Sequence, residues 1–158
     1  MADDFEITSS STKDGEEQFC LAWCPSKYLP TMLVIGCGRD NIAKIFRLDA
    51  NNHWQSYETL PGHNGVIRDV AWAPHMGRSY QLIATGCSDG HVRIFQLSPS
   101  KKQNQKNMFN VELVGDFNDH QSEVWRVDWN VTGTILSSTG DDAVGTEWKA
   151  HAVIGNDK

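Results

Sequence analysis

The chain has 158 residues, of which 39% are hydrophobic, and a formal net charge of −6 at pH 7. This length and composition predict a folded domain with its own core and exclude a wholly disordered chain. The acidic balance excludes a polyanion-binding surface, and the lack of a run of roughly 20 apolar residues excludes a membrane-spanning helix. We therefore expect protein partners, no nucleic acid and no direct insertion into a membrane.

The first 18 residues contain ADDFEI, which alternates as a strand does, and a polar segment, TSSSTKDGEE. We interpret residues 1–18 as the outer strand of a preceding repeat unit plus a linker. The acidic N-terminus lacks the basic and then apolar pattern of a secretory signal, so a cytosolic or nuclear chain is expected. In such a compartment four cysteines are predicted to be reduced, buried thiols: Cys20, Cys24, Cys37 and Cys87.

Residues 33–48 read LVIGCGRDNIAKIFRL, and two interpretations compete. A dinucleotide site needs glycines after a strand and a helix N-terminus that receives the pyrophosphate. Gly36 and Gly38 supply the first two glycines, but Asn41 occupies the third position. The following run, IAKIFRL, is rich in β-branched and aromatic residues, which favours a strand over a helix. The rest of the chain must decide between a phosphate-binding turn and a repeat.

Self-comparison favours the repeat, because segment 22–48 aligns on segment 71–97 without a gap, at an offset of 49 residues. Eight aligned positions are identical: Ala22 with Ala71, Trp23 with Trp72, Pro25 with Pro74, Leu33 with Leu82, Asp40 with Asp89, Ile45 with Ile94, Phe46 with Phe95, and Leu48 with Leu97. A third copy at 120–150 aligns with the second at an offset that changes from 57 to 53 residues. This recurrence rejects the phosphate-binding interpretation.

Each copy predicts three short strands, and HWQSYETL and NVELVGDF between copies predict a fourth. Four strands per roughly 50 residues fit the blade of a β-propeller. We therefore predict an all-β fold, a partial β-propeller of about three four-stranded blades. The predicted blades are residues 19–60, residues 61–117 with a polar insertion at 98–110, and residues 118–158. The insertion has two interpretations, a basic binding finger and a solvated loop. The loop is favoured, because the three lysines stand among amides and form no patch, without an aromatic residue to stack on a base.

The tryptophans divide into two groups. Trp23, Trp72 and Trp129 share one register, so we predict that all three face the blade core. Trp54 and Trp125 fall outside this register. For Trp54 two interpretations remain open, an exposed anchor for a protein partner and packing on its own blade.

The third copy contains the most enzyme-like combination, His120, Ser138 and Asp142. The equivalent residues of the second copy are His63, Thr85 and Asp89. Because the set recurs in each of these blades, whereas an active site is usually needed once, we predict a structural role. The corner histidine should bridge the turn aspartate and a strand hydroxyl, and so satisfy polar groups that the sheets bury. No catalytic, cofactor or metal site is predicted, since neither a nucleophile elbow nor metal-ligand spacing accompanies the set.

Several motifs resemble WD repeats: the Gly62-His63 corner, the CSDG turn at 87–90, and the run that closes on Trp148. The segments WAPHMGRSYQLIATGCSDGHVRIF at 72–95 and DHQSEVWRVDWNVTGTILSSTGDD at 119–142 resemble the WD-repeat nucleoporins of the SEC-thirteen homologue (SEH) type. The resemblance covers residues 17–150 and implies the C-terminal half of an open six-bladed propeller. Trp148 would then belong to the structural hydrogen-bond sets.

The resemblance also implies a function. Members of that family are scaffold subunits without catalysis or cofactors in the Y-shaped outer-ring complex of the nuclear pore. An α-solenoid nucleoporin donates a blade to them, and other Y-complex subunits are further partners. Members also join a coat complex on the vacuolar or lysosomal membrane that regulates nutrient signalling. The alternative is a SEC-thirteen-like subunit of the vesicle coat for export from the endoplasmic reticulum.

This chain departs from the family pattern in several places. Asp14 replaces the corner histidine of the first copy, and Phe46 and Phe95 replace the usual tryptophan. Glu147 falls where the second copy has Ile94, so the third strand of the last blade is predicted to be degraded. Three blades would leave two open edges, and we therefore expect a need for a partner or a tendency to aggregate.

Overall fold

The structure, a computed structural model, describes residues 19–38, 40–100 and 109–141, and the backbone of a further strand at Glu147–Ala152. The predictions for residues 1–18 and for Asp142 therefore lie outside the described part. The strands within it are, in chain order, β1 Phe19–Trp23, β2 Met32–Cys37, β3 Ile42–Leu48, β4 Trp54–Leu60, β5 Ile67–Trp72, β6 Gln81–Cys87, β7 Val92–Pro99, β8 Phe109–Phe117, β9 Val124–Trp129, β10 Ile135–Gly140 and β11 Glu147–Ala152. Across these ranges no helix is long and apolar enough to cross a membrane.

The strands form three antiparallel sheets in chain order. Sheet 1 contains β1 to β4, sheet 2 contains β5 to β8, and sheet 3 contains β9 to β11. Within each sheet, every strand pairs with the next one along the chain, and Asn41 and Gly90 take positive φ values of 52° and 87° in two of the connecting turns. The predicted all-β fold, a repeat of antiparallel four-stranded sheets, is confirmed, with three strands of sheet 3 in the described part.

Two apolar cores lie between neighbouring sheets. The core between sheets 1 and 2 includes Val34, Ile45, Trp72 and Phe95, each at most 6% exposed. The core between sheets 2 and 3 includes Ala84, Ile94, Val127, Trp129 and Leu136, each at most 8% exposed. Each sheet therefore stacks on its sequence neighbour, and sheet 2 is covered on both faces.

Glycine permits the closest approach of the sheets. A Cβ atom added at Gly36 would lie 2.9 Å from Cγ2 of Ile67 in sheet 2. A Cβ atom added at Gly86 would lie 2.9 Å from Cγ1 of Val124 in sheet 3. The two glycines take equivalent register positions, because Gly36 pairs with Cys20 and Gly86 with Asp69. Both sheet interfaces are thus built around the same small position.

The strand registers correct the gapless alignment of the first two repeats. Trp23 pairs with Leu33, and Trp72 pairs with Ile83, so Leu33 is equivalent to Ile83 and not to Leu82. Counted between paired residues, the connection from Trp23 to Leu33 is one residue shorter than the connection from Trp72 to Ile83. The connection from Leu33 to its β3 partner Phe46 is one residue longer than that from Ile83 to its β7 partner Phe95. These two changes cancel, which is why the alignment needed no gap and still misplaced β2 by one position.

The strands also extend into the predicted insertion. Ser98 pairs with Asn110, and Pro99 pairs with Phe109, so β7 and β8 occupy both ends of the segment predicted as a loop. Cross-strand pairing of the apolar flank explains the difference, since Phe109 is 6% exposed and belongs to the core of sheets 1 and 2. Residues 101–108 lie outside the described part.

One predicted core residue is not buried. Trp72 and Trp129 are 6% and 8% exposed, but Trp23 is 55% exposed, so its prediction as a core residue is wrong. Sheet 1 covers Trp72, and sheet 2 covers Trp129, whose Nε1–H donates to the carbonyl oxygen of Ala71 at 3.2 Å. No described strand covers the corresponding face of sheet 1. The shared register was predicted correctly, but the burial depends on a neighbouring sheet.

Candidate functional site

The corner of sheet 2 brings together two of its three predicted residues. Nε2 of His63 lies 2.9 Å from Oγ1 of Thr85, in hydrogen-bonding contact. Both side chains are buried, at 8% and 0% exposure, and the His63 ring also contacts Phe95 with ring centroids 5.7 Å apart. The histidine precedes β5 and the threonine lies in β6, so the contact ties the incoming corner to the strand next to β5.

Asp89, the third predicted residue, is held by other groups. Its Oδ2 lies 2.9 Å from an Nη atom of Arg93, a buried residue of β7. The backbone N–H groups of Asn64 and His91 also donate to its carboxylate, at 3.1 and 3.0 Å. In the described part of the chain, the aspartate is therefore bound through Arg93 and backbone groups rather than through His63.

The electrostatics of this corner follow from burial and from Arg93. Burial, and then the positive charge of Arg93, lower the pKa of His63 to about 4. Burial alone would raise the pKa of the Asp89 carboxyl, but the hydrogen bonds from Arg93 and from the two backbone N–H groups outweigh it and hold that pKa well below its ordinary value. At neutral pH the corner therefore contains a neutral histidine beside an ion pair.

Arg93 is the functional residue of this corner that sequence reasoning missed. Its Nε lies 3.7 Å from Oδ2 of Asp116 in β8, and Oδ1 of Asp116 lies 2.6 Å from Nδ1 of His91. A signal was present in the sequence, since an arginine in the middle of the buried strand HVRIF demands a carboxylate partner. The position four residues after Asp89 points to that carboxylate.

Sheet 3 repeats the contact between a corner histidine and a strand hydroxyl. Nε2 of His120 lies 2.7 Å from Oγ of Ser138, and both residues are buried, at 5% and 0% exposure. The strand β11 is present at Glu147–Ala152, where a degraded strand was predicted. Its register pairs Trp148 with Thr139, whereas Phe95 pairs with Ile83.

Trp148 therefore does not take the register position of Phe95 to which it was assigned. Six residues separate the end of β10 from the start of β11, whereas four separate β6 from β7, and β11 pairs with β10 in a shifted register. The same shift places Glu147 opposite Gly140, at the start of the strand rather than at the position of Ile94. The side chains of β11 lie outside the described part.

The open face of sheet 1 is apolar. Along β1, alternate residues Phe19, Leu21 and Trp23 are 45%, 58% and 55% exposed. Leu33 and Ile35 pair with Trp23 and Leu21 and so share their face of the sheet, but they are only 8% and 7% exposed, so the exposed apolar surface lies along β1. Exposed apolar surface of this extent marks an interaction site on a folded protein.

Trp54 contributes to the edge of this face. Its ring centroid lies 5.9 Å from that of Trp23, and the two rings are tilted by 53°. Trp54 is half-buried, so of its two interpretations the contacts agree with packing on its own sheet. Trp23 and Trp54 together form a tilted aromatic pair at the end of sheet 1.

The first strands of the three sheets, β1, β5 and β9, line a polar inner cleft of about 520 Å³. Asp69, Arg126 and Asp128 are its charged lining residues. Burial raises the pKa of Asp69, whose carboxylate accepts hydrogen bonds from the backbone N–H groups of Val127 and Val70 at 2.9 and 3.0 Å. The bond from Val127 ties β9 to β5. Among the described residues, no three His, Cys, Asp or Glu side chains are grouped to hold a metal ion.

The four cysteines are free, as predicted, but only Cys87 is fully buried. The other three are half-buried, and two of them, Cys20 and Cys24, pack against the core between sheets 1 and 2. Burial raises the pKa of all four thiols, and that of Cys20 reaches about 12. Thiols of this kind are poor nucleophiles at neutral pH.

Comparison with known proteins agrees with these features. Residues 54–96 and 111–144 match the family described as WD domain, G-beta repeat. The chain is similar to a chain in the crystal structure of the mitotic checkpoint complex, with a TM-score of 0.53 and 19% identity, over 77% of this chain and 31% of that one. At this identity the similarity concerns the fold alone.

Curated relatives are closer in sequence. The Schizosaccharomyces pombe nucleoporin seh1 is 40% identical over 91% of this chain and 47% of its own length. The Saccharomyces cerevisiae nucleoporin SEH1 is 38% identical over 85% of this chain and 48% of its own length, and the human nucleoporin SEH1 is 36% identical over 84% and 39%. The chain thus spans about half the length of these relatives or less. It contains WD repeats over residues 54–96 and 111–144 and is homologous, over most of its sequence, to part of the SEH1 nucleoporins.

Proposed function

We propose that the chain is a non-enzymatic scaffold element of the Y-shaped outer-ring complex at the nuclear pore. The observation that carries this proposal is the 40% identity to a nucleoporin over 91% of the chain. Transport of protein and mRNA would depend on such an element indirectly, through the architecture of the pore. In a second assembly, a coat complex on the vacuolar or lysosomal membrane, the same sheets would again act as a scaffold element.

The burial of the corner hydroxyls supports the non-enzymatic part of the proposal. Thr85 and Ser138 have no exposed surface, and each is hydrogen-bonded to a buried histidine. A nucleophile must reach its substrate, and these two hydroxyls do not reach the surface. The contacts instead satisfy polar groups inside each sheet, which stabilises the corners that join the sheets.

The open face of sheet 1 supports a partner that stacks a sheet on this chain. Leu21 and Trp23 are more than half exposed, whereas the equivalent residues Val70 and Trp72 are covered by sheet 1. A donated sheet with small apolar residues would cover this face as sheet 1 covers sheet 2. We propose an α-solenoid nucleoporin as the donor, with the other Y-complex subunits bound through it.

Affinity purification of the tagged chain, followed by mass spectrometry, tests both parts. Leu21→Asp places a charge on the open face, and Leu113→Asp, at a 46% exposed leucine of β8, is the matched control. We expect the unmodified chain and the control to recover Y-complex subunits and Leu21→Asp to lose them. Recovery of the rod subunit of the vesicle coat without pore components would favour the coat alternative. Recovery of chaperones alone would contradict the proposal.

A further inference from the structure

Two β-bulges place Arg68 and Trp125 at equivalent positions in sheets 2 and 3. In β5, Ile67 pairs with Cys87 and Asp69 with Gly86, so Arg68 is the extra, unpaired residue. In β9, Val124 pairs with Gly140 and Arg126 with Thr139, which leaves Trp125 as the extra residue. A bulge re-aims a side chain and is over-represented next to functional sites.

The two bulged side chains meet across the interface between the sheets. The guanidinium carbon of Arg68 lies 4.6 Å from the ring centroid of Trp125, in a cation–π contact. An Nη atom of Arg68 also lies 2.9 Å from Oε2 of Glu123, two residues before Trp125. Arg68 therefore fixes the orientation of both neighbours, although Trp125 remains 39% exposed. Exposed, preorganised tryptophans are favoured as anchors of protein interfaces.

The surroundings of Trp125 are acidic. One end of the sheets, here called the upper end, carries segments 61–66, 88–91, 118–123 and residue 141. Backbone hydrogen bonds connect these segments, because Ser88 donates to Val66 and Asp141 donates to Glu123. This surface exposes the side chains of Asp116, Asp119 and Asp141. Of the nearby cationic groups, Arg68 pairs with Glu123, Arg93 pairs with Asp89 and Asp116, and His91 contacts Asp116. The exposed Arg126, which follows Trp125 in β9, lines the inner cleft together with Asp69 and Asp128.

We propose that the upper end binds a cationic segment of a protein partner, with Trp125 as the anchor for an Arg or Lys side chain. The incoming cation would stack on the indole and contact Glu123, whose side chain is 41% exposed, while Arg68 keeps both in place as a positioning residue. The acidic surface adds long-range attraction and disfavours acidic ligands. This site does not depend on the proposed scaffold function, because it lies at the sheet ends rather than on the open face of sheet 1.

The test titrates the full chain with an acetylated and amidated octapeptide in which Gly alternates with Arg and Lys. The same peptide with Glu in place of the cations is the ligand control. Binding is followed by calorimetry and by the indole N–H resonance of Trp125, assigned by its loss in Trp125→Phe. We expect the cationic peptide to bind, to shift that resonance, and to bind more weakly as salt is raised.

Four variants separate the site from general electrostatic attraction. Trp125→Ala and Glu123→Gln should each weaken binding by about two- to fivefold, as for one exposed cation–π or charge contact. Tyr28→Ala, at an exposed aromatic in the β1–β2 loop, and Glu112→Gln, at an exposed acid in β8, should leave affinity unchanged. The proposal is overturned by no binding at millimolar peptide, by equal binding of the acidic peptide, or by equal losses in Glu112→Gln and Glu123→Gln. If Trp125→Ala fails to fold, the affinity of Glu123→Gln for the cationic peptide decides whether the proposal holds.

Discussion

Sheets 1 and 2 place the same residue types at equivalent positions and bury them differently. Trp23 and Trp72 close the first strands of the two sheets, and they are 55% and 6% exposed. Two residues earlier, Leu21 is 58% exposed and Val70 is 4% exposed. The strands, pairing partners and side-chain directions correspond. Within the described residues, the difference comes from sheet 1, which covers Val70 and Trp72 of sheet 2, whereas no described sheet covers Leu21 and Trp23.

This contrast separates two kinds of information in a repeat sequence. Alternation of apolar residues determines which face a side chain takes within its own sheet. Burial depends in addition on what stacks against that face, and in this fold the cover comes from a different repeat. The loss of stability caused by a mutation should therefore depend on whether a neighbouring sheet covers the residue rather than on the residue type.

The largest effect expected from this contrast is at the tryptophans. Trp72→Ala should lower the free energy of unfolding by about 3–5 kcal/mol, because it opens a cavity between sheets 1 and 2. Trp23→Ala should lower it by less than about 1 kcal/mol, since its ring faces solvent and contacts mainly Trp54. Urea denaturation followed by circular dichroism measures both values. Equal losses in the two variants would show that the open face of sheet 1 is covered.

The turn aspartates offer a second contrast. Asp89→Asn should destabilise the chain by about 3 kcal/mol, because it leaves the buried Arg93 without its shortest ion pair. Asp40→Asn, at the exposed equivalent position of sheet 1, should change stability by less than about 0.5 kcal/mol. The same denaturation experiment measures the pair, and a loss in Asp40→Asn as large as that in Asp89→Asn would show that the ion pair with the buried Arg93 does not cause the difference.

Acid should weaken the corner of sheet 2. The pKa of His63 is about 4 in the folded chain and 6.5 as its ordinary value, so the unfolded chain binds more protons in this range. The contribution of the neutral His63 to the free energy of unfolding is complete above pH 6.5. Up to about 3 kcal/mol of it is lost as the pH falls towards 4. His63→Gln should flatten the stability profile over this range, and His53→Gln, at an exposed residue of sheet 1, should not. An unchanged profile in His63→Gln would exclude this histidine as the source.

The interface glycines should behave alike in the two sheets. Gly36→Ala and Gly86→Ala should each cost about 2 kcal/mol, because the added Cβ meets a β-branched side chain of the next sheet at 2.9 Å. Thermal unfolding of the two variants gives this comparison. A neutral result at Gly36 alone would mean that sheet 1 stacks on sheet 2 less closely than sheet 2 stacks on sheet 3.

Much of the fold was accessible from the sequence because the repeat carries it. The strand runs, their order and the register of the tryptophans follow from period-2 alternation and from the recurrence of segment 22–48 at 71–97. The one-residue shift of β2 was not accessible, since a shorter and a longer connection between paired residues compensate each other. Likewise, the exposure of Trp23 depends on a neighbouring sheet and leaves no mark in its own strand.

The candidate site was predicted in part. His63 with Thr85 and His120 with Ser138 come together because equivalent positions of a repeat share geometry. The pairing of Asp89 with Arg93 was missed because the repeat offered no second arginine at that position; sheet 1 has Lys44 there. The contact of Arg68 with Trp125 depends on two bulges, which the alternation pattern does not reveal.

Hydroxyl-radical footprinting of the tryptophans tests most directly whether stacking on a neighbouring sheet determines burial. Trp23 and Trp72 occupy equivalent positions and have the same chemistry, so their oxidation rates differ only through exposure, 55% against 6%. We predict that mass spectrometry of the folded chain finds Trp23 oxidised several times faster than Trp72, with Trp129 protected like Trp72. Equal protection of Trp23 and Trp72 would contradict the open apolar face of sheet 1.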